Sequence, residues 1–371
     1  MKNTLYMHMG WSKTGTTTIQ HFLYKNHDLL LEKDYCYPIG HVIDESVFNY
    51  KYENHIFAAQ CFHGNWNKFQ KLHDWTWYRD HILNEMRDAN CSNNILSAEL
   101  FNFEHSDNIE FWKKDYSVKG IYYFRNFFDW LVSQQKEYIK YFLPPSVFVF
   151  DRERNYAIMG CLRHHLRVLG RDNCIFIDFD KVKKRKNGLL ESFLDAVDVG
   201  AHALSGFSVV PDENTTPNDA HLMFFYQCSF APFGRREFSS LFKEVREMDL
   251  HQFKDFHSNT LPPNIYTLDE YAEYGLKYQG VLLNDPDWYD KNVARAQELA
   301  KIPYQDLPPE IQYHILENLS DASRELIYSW LPGAKQATPN QPYLPSMKNF
   351  YDFRDTILPI YKRYSDLMRQ E

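Results

Sequence analysis

The sequence has 371 residues, with 41 Lys and Arg against 49 Asp and Glu, which gives a formal net charge of −8. Because there is no basic excess, the composition argues against nucleic acid as the main partner. The length can bury a sizeable core and allows one large domain or two.

The chain begins with a predicted strand, loop and helix. The predicted strand and helix cover 5–9 and about 19–30. Gly10 and Gly15 let the loop between them turn backbone N–H groups inward, and Lys13 adds a cation. The hydroxyl run Thr16–Thr18 stands at the helix start, where donors and the positive end of the helix dipole point outward. The stretch predicts an anion cradle for phosphate or sulfate.

The lysine position separates this loop from the Walker A pattern, in which the lysine follows the second glycine. Here Thr16 follows Gly15, and Lys13 lies two residues before that glycine. The loop resembles the 5′-phosphosulfate loop of the sulfotransferase family, in particular its bacterial branch. The resemblance implies 3′-phosphoadenosine-5′-phosphosulfate (PAPS) as the cofactor and a catalytic role for Lys13. It implies cofactor binding by Ser12, Lys13, Thr14, Gly15, Thr16 and Thr17.

Two residues are candidates for the general base that deprotonates an acceptor hydroxyl. His55 follows a short predicted strand, 35–37, and bacterial relatives of the loop often carry a histidine in a similar place. Glu99 ends the predicted strand 94–99, and glutamate is the base in some branches of the family. Because ligands bind at the carboxyl ends of parallel strands, both are expected near the cradle. The sequence leaves the choice between them open.

A second motif lies in 119–133, where an apolar strand is followed by a helix. It resembles the family's 3′-phosphate motif, with Arg125 and Ser133 at the family spacing. An arginine presents a planar fork of donors that suits phosphate oxygens. Asp129 is expected to hold Arg125 or to cap the turn. Phe127 departs from the family pattern, which usually has proline there, and the change affects the stiffness of the loop.

The remaining elements complete a predicted α/β pattern. Helices are predicted over 68–90, 154–169 and 189–197, and a further strand over 174–179. The basic run Lys181–Lys186 is best explained as a solvated loop, with cofactor phosphate or an anionic acceptor as the alternatives. The order β-α-β-α-β-β-α-α-β-α suits a P-loop-like, mostly parallel sheet flanked by helices.

The cysteines and the apolar runs limit which metal sites, disulfides and membrane spans the chain can contain. The six cysteines form no CxxC pair, which predicts reduced, mostly buried thiols and no metal site. No apolar run approaches the length of a membrane span, and the first strand starts almost at once. If this is the native start, a cytoplasmic location is expected.

Residues 1–215 are predicted to form a PAPS-binding core, and 216–371 a largely helical extension that packs on the core and shapes the acceptor cleft. The expected reaction is transfer of a sulfuryl group to a hydroxyl of a carbohydrate or glycolipid acceptor, without nucleic acid, metal or a transmembrane segment. The alternatives are a kinase with a distorted phosphate loop and a nucleotide-binding adaptor without catalysis. The identity of the acceptor and the oligomeric state cannot be read from the sequence.

Overall fold

A computed structural model describes the chain over 2–39, 75–98, 106–140, 162–209, 218–228, 235–258, 270–302 and 305–344. Five parallel strands form one sheet: β1 Thr4–His8, β2 Tyr35–Cys36, β3 Asn93–Ser97, β4 Ser117–Phe124 and β5 Cys174–Asp178. The strand order is β2-β3-β1-β4-β5, so β1 lies at the centre. In register, Tyr6 of β1 faces Ile95 of β3 and Lys119 of β4.

Helices connect and flank the strands, as parallel strands require. They are α1 Thr16–Lys25, α2 His27–Glu32, α3 Trp75–Ala89, α4 Ser106–Lys113, α5 Phe127–Lys140, α6 over 162–169, α7 Phe179–Val182 and α8 Gly188–Ala196. The central strands are apolar on both faces, and Leu5–His8 of β1 are all buried. This is the pattern of a parallel sheet covered on both sides, and the predicted α/β fold is confirmed.

Two details of the predicted element order are wrong. The helix predicted over 19–30 is divided at Asn26, whose side chain donates to Phe22 O and accepts from Ser208 N. Helix α4 was not predicted, although it provides the crossover between β3 and β4, with Ile109 and Trp112 buried.

The C-terminal part is helical. Its helices are α9 Asp219–Cys228, α10 Arg235–Glu247, α11 Glu270–Leu283, α12 Trp288–Ala300, α13 Pro309–Asn318 and α14 Asp321–Trp330. Every residue of α9 from Ala220 to Cys228 is buried, and a cluster around Phe224, Phe225 and Ile315 forms a core of its own.

By compactness the chain divides into two units. The first comprises Met1–Trp130, Arg152–Asn214 and Asp269–Asn292, and the second Leu131–Asp151, Thr215–Leu268 and Val293–Glu371. Two helices, α5 and α12, therefore contribute residues to both units. The functional domains predicted over 1–215 and 216–371 stay a prediction.

The cysteines that the structure describes are free and buried: Cys36, Cys91, Cys174 and Cys228. Burial raises the pKa of the Cys36 and Cys174 thiols to about 12, so both are protonated at neutral pH. Within the described ranges, no helix is both long enough and apolar enough to cross a bilayer.

Candidate functional site

The predicted cradle lies at the carboxyl ends of the central strands β1 and β4. The chain leaves β1 towards β2 on one side of the sheet and leaves β4 towards β5 on the other. Such a divergence opens a crevice between the two outgoing loops, and this is where open parallel sheets bind ligands. The loop after β1 carries Lys13, and the first residue after β4 is Arg125.

Internal hydrogen bonds and two left-handed residues hold the loop after β1 in shape. Met9 N donates to Ile121 O of β4 over 2.9 Å, which fixes the start of the loop to the sheet. The hydroxyls of Thr14 and Thr16 both donate to Trp11 O, so these buried side chains shape the loop itself. Lys13 has φ 65 and Gly15 has φ 78. The left-handed conformation is unusual for lysine and is found chiefly where the surrounding structure imposes it.

Both glycines of the loop occupy positions that a larger residue would not fit. A Cβ atom on Gly10 would overlap the side chain of Thr16, and one on Gly15 would overlap Leu189. The loop is thus drawn closely against the start of α1 and of α8. Glycine at both positions lets the backbone of the loop approach Thr16 and Leu189 this closely.

Helix α1 begins directly after this loop. Its N-cap is Gly15, no side chain caps the helix by a hydrogen bond, and the first turn contains no acidic residue. The N–H groups of a first turn have no partner within their own helix, and the helix dipole adds partial positive charge there. A helix start of this kind, after a close-packed glycine loop, suits an anion.

Arg125 joins the two predicted motifs. Its Nη1 donates to Lys13 O over 2.9 Å, so the loops after β1 and β4 are in direct contact. The guanidinium lies over the ring of Phe179, 5.5 Å from the centroid, and its Nε is 4.0 Å from Asp180 Oδ1. The segments that directly follow β1, β4 and β5 therefore meet around one arginine.

Asp180 is a site residue that the sequence analysis missed. It accepts a hydrogen bond from Asn126 N, and its Oδ1 forms a 2.6 Å ion pair with Lys183 Nζ. The sequence feature that could have indicated Asp180 is its position just after the predicted strand 174–179, at the same edge of the sheet as Arg125. A single carboxylate after a strand is common, so that signal could not have distinguished it.

The start of α5 is capped by a residue that the sequence analysis did not name. Asn126 caps this helix, because its Oδ1 accepts from the backbone N–H groups of Phe128 and Asp129 at 3.1 and 3.4 Å. The residue that caps the helix is Asn126, and the other role predicted for Asp129, holding Arg125, stays a prediction. Phe127 N donates to Oδ1 of the buried Asn292 over 2.7 Å. A proline at this position has no N–H group, so Asn292 provides the acceptor that the departure from proline requires.

Aromatic rings support the other side of the loop. Trp130 Nε1 donates to Ser12 O over 3.0 Å and lies 3.3 Å from Ser12 Oγ. The indole of Trp11 packs against Phe124 and Trp130, each with centroids 5.7 Å apart. Trp11 Nε1 is buried and has no hydrogen-bond partner in the described part of the chain. Ser12 is thus held through its backbone as well as its side chain.

A buried polar cluster lies at the ends of β1 and β3, next to the loop, and its histidine was not predicted as a site residue. His8 Nδ1 is 2.8 Å from Ser97 Oγ, and Gln20 Nε2 donates to Ser97 Oγ over 3.1 Å. The imidazole is fully buried, with its ring edge-on to Tyr123 and Phe193. Burial lowers the pKa of His8 to about 3, so it is neutral at neutral pH.

The predicted roles of three further site residues, His55, Glu99 and Ser133, stay predictions. His55 and Glu99 lie outside the described residues. Ser133 lies in the second turn of α5 and belongs to the second compact unit, whereas Arg125 belongs to the first. A shared role for Arg125 and Ser133 on one phosphate stays a prediction. Among the residues that the structure describes, no group of three or more His, Cys, Asp or Glu could hold a metal ion.

Comparison of the chain with protein-family models, with curated proteins and with solved structures gives no match.

Proposed function

We propose that the protein is a sulfotransferase, which moves a sulfuryl group from PAPS to a hydroxyl of a carbohydrate or glycolipid. The observation that carries this proposal is the hydrogen bond from Arg125 to Lys13 O, because it joins the two motifs that resemble the family's phosphate sites. The contact lies at the switch point of the sheet, where a nucleotide is expected.

The residues present are compatible with the phosphate end of such a donor. The backbone at Gly10 and Gly15 lies close against Thr16 and Leu189, and α1 starts there without a side-chain cap. These features support binding of a 5′-phosphosulfate through backbone N–H groups. Arg125, which the resemblance assigns to the 3′-phosphate, lies beside the same loop. Bound PAPS would supply the activated sulfuryl group and a phosphate leaving group.

The chain's own residues would act by electrostatic stabilisation and proton removal. The Lys13 ammonium and the first-turn N–H groups of α1 would offset the negative charge that develops on the leaving phosphate oxygen. A base, His55 or Glu99, would take the proton of the acceptor hydroxyl. We keep a cytoplasmic location as part of this proposal, and fractionation of cells that express the tagged chain would test it.

The rival functions predict different ligands. A kinase with a distorted phosphate loop would prefer ATP with magnesium, and an adaptor would bind a nucleotide without catalysis. The position of Lys13, two residues before Gly15, argues against the kinase, whose lysine follows the glycine. The presence of Lys13 and of two candidate bases argues against the adaptor.

Thermal unfolding with 3′-phosphoadenosine-5′-phosphate (PAP), AMP and ATP tests the proposal. At a hundredfold excess over its dissociation constant, a ligand stabilises the native state by about 2.7 kcal/mol. We expect PAP to raise the melting temperature well beyond AMP, without magnesium, because only PAP carries the 3′-phosphate. Equal shifts for AMP and PAP, or a larger shift for ATP with magnesium, would contradict the assignment.

A further inference from the structure

Four cations form an exposed surface that the proposed chemistry does not use. They are the side chains of Lys181, Lys184, Arg185 and Lys186, here called the basic turn. None of these side chains has a hydrogen bond or ion pair to another described residue, whereas the neighbouring Lys183 is paired with Asp180. In a chain with a net charge of −8, the basic turn concentrates four positive charges that are not paired with any other described residue.

The backbone of this turn is well defined. It connects α7 with α8 through hydrogen bonds from Arg185 N to Val182 O and from Gly188 N to Arg185 O, both 3.1 Å. A Cβ atom on Gly188 would overlap Val182 O, so the close return of the chain requires glycine there. The cations therefore extend from a fixed turn rather than from a long unstructured loop.

The basic turn lies beside the candidate site. The residues that flank it contact the cradle: the ring of Phe179 is near Gly15 and lies below both Arg125 and Lys183, and Leu189 packs against Gly15. All of these residues belong to the first compact unit. A molecule held by the basic turn would thus lie next to the loop on which sulfuryl transfer is proposed.

We propose that the basic turn binds the acceptor, and that this acceptor is a carbohydrate chain already carrying carboxylate or sulfate groups. The inference rests on the proposed function and specifies its acceptor class. Each exposed ion pair contributes little in water, so four spread cations favour a ligand with several charges over a single phosphate. Clustered charge also raises the local concentration of an oppositely charged ligand.

Two other sources of negative charge suit the basic turn less well. The cofactor's phosphates are compact, and the helix start and Arg125 already offer them donors. Interfacial helices that lie in an anionic membrane surface combine cations with exposed apolar side chains. Over 181–189 the structure exposes no large apolar residue. A soluble anionic chain is the ligand that the composition of the turn favours.

The test measures binding of a heparin-derived hexasaccharide to the full chain by calorimetry. The variant Lys184→Ala/Arg185→Ala/Lys186→Ala removes three charges of the basic turn. The control Lys2→Ala/Arg87→Ala/Lys114→Ala also removes three exposed cations of the first unit, which come before β1, β3 and β4 and so at the opposite edge of the sheet. Titration with PAP measures the cofactor site separately.

We expect the basic-turn variant to lose roughly tenfold in hexasaccharide affinity, as three weak exposed pairs suggest. The control should change by less than about twofold, and PAP affinity should stay unchanged in both variants. Lys184→Arg/Lys186→Arg should bind as the wild type does, because the charge is kept.

Equal losses of hexasaccharide affinity in the two triple variants would overturn the inference. The hexasaccharide would then be attracted by the positive charge of the protein surface in general and not by the basic turn. A loss of PAP affinity confined to the basic-turn variant would overturn it as well and assign the turn to the cofactor. The inference would also be overturned if the full chain bound phosphatidylserine vesicles and did not bind the hexasaccharide. If the hexasaccharide binds through the turn but PAP does not bind, the proposed function fails while the anion-binding surface stands.

Discussion

At the scale of single residues, the backbone and the side chain of Lys13 have different roles in the candidate site. The carbonyl accepts the hydrogen bond from Arg125, which fixes the loop, and the backbone adopts a left-handed conformation. The ammonium is the group to which we assign charge stabilisation. A substitution at this position can therefore remove the charge while leaving the contact to Arg125 in place.

Replacing Lys13 by Ala or by the similarly sized Met should lower turnover more than PAP affinity. The expected loss is about 10²–10³-fold, the scale of a lost oxyanion donor. Steady-state kinetics with saturating PAPS measures turnover, and titration with PAP measures affinity. Turnover close to that of the wild type in both variants would remove Lys13 from the mechanism.

The pKa of His8 predicts a pH dependence of stability. In the native state this pKa is lowered to about 3, whereas an unfolded histidine titrates near about 6.5. Between these values the unfolded state binds a proton that the native state does not, so stability falls as the pH falls. The contribution of His8 to this slope is expected to be about 1.4 kcal/mol per pH unit below about pH 6.

Urea unfolding between pH 7 and pH 4.5 would measure this slope, and His8→Gln should make it shallower. The pKa of His221 is lowered by burial too, so its smaller contribution remains in both proteins. An unchanged slope in the variant would show that His8 titrates normally in the native state.

At the scale of elements, the start of α5 shows what accompanies Phe127 at the position where the family that the motif resembles usually has proline. Phe127 has an N–H group that proline lacks, and Asn292 of α12 accepts from it. The side chain of Asn292 also donates to Trp288 O. Removing the Asn292 side chain should thus leave a partly buried donor at the helix start unsatisfied.

A double-mutant cycle tests this pairing. Asn292→Ala should destabilise the protein by about 1–3 kcal/mol, the cost of an unsatisfied buried polar group. In a Phe127→Pro background the donor is absent, and proline is favoured in the first turn of a helix. The same Asn292→Ala change should then cost less by about 1 kcal/mol. Equal costs in the two backgrounds would mean that the hydrogen bond contributes nothing to stability.

Local sequence patterns predicted the presence of helices and strands better than the residues at which they begin and end. The glycine loop, β1 and α8 could be predicted because the residues that determine them are adjacent in the chain. The break at Asn26 depends on a hydrogen bond with Ser208, which lies far away in sequence. Helix α4 was missed although the need for a crossover between parallel strands could have indicated it.

At the scale of the whole molecule, the candidate site likewise contains features that adjacent residues predict and features that depend on residues far apart in the sequence. The Lys13 loop and Arg125 were predicted from motifs, and the parallel sheet accounts for their meeting at its carboxyl edge. Asp180, Asn292 and His8 were not predicted, because each acts through a partner from a distant part of the chain. Their residue types are too common to stand out without the fold.

The central claim is that one nucleotide spans the loops after β1 and β4, and a crystal structure of the full chain with PAP tests it most directly. The account predicts the 5′-phosphate on the backbone N–H groups of the loop at Lys13–Thr17 and the 3′-phosphate in contact with Arg125. A nucleotide bound elsewhere, or bound with its 3′-phosphate away from Arg125, would contradict the account.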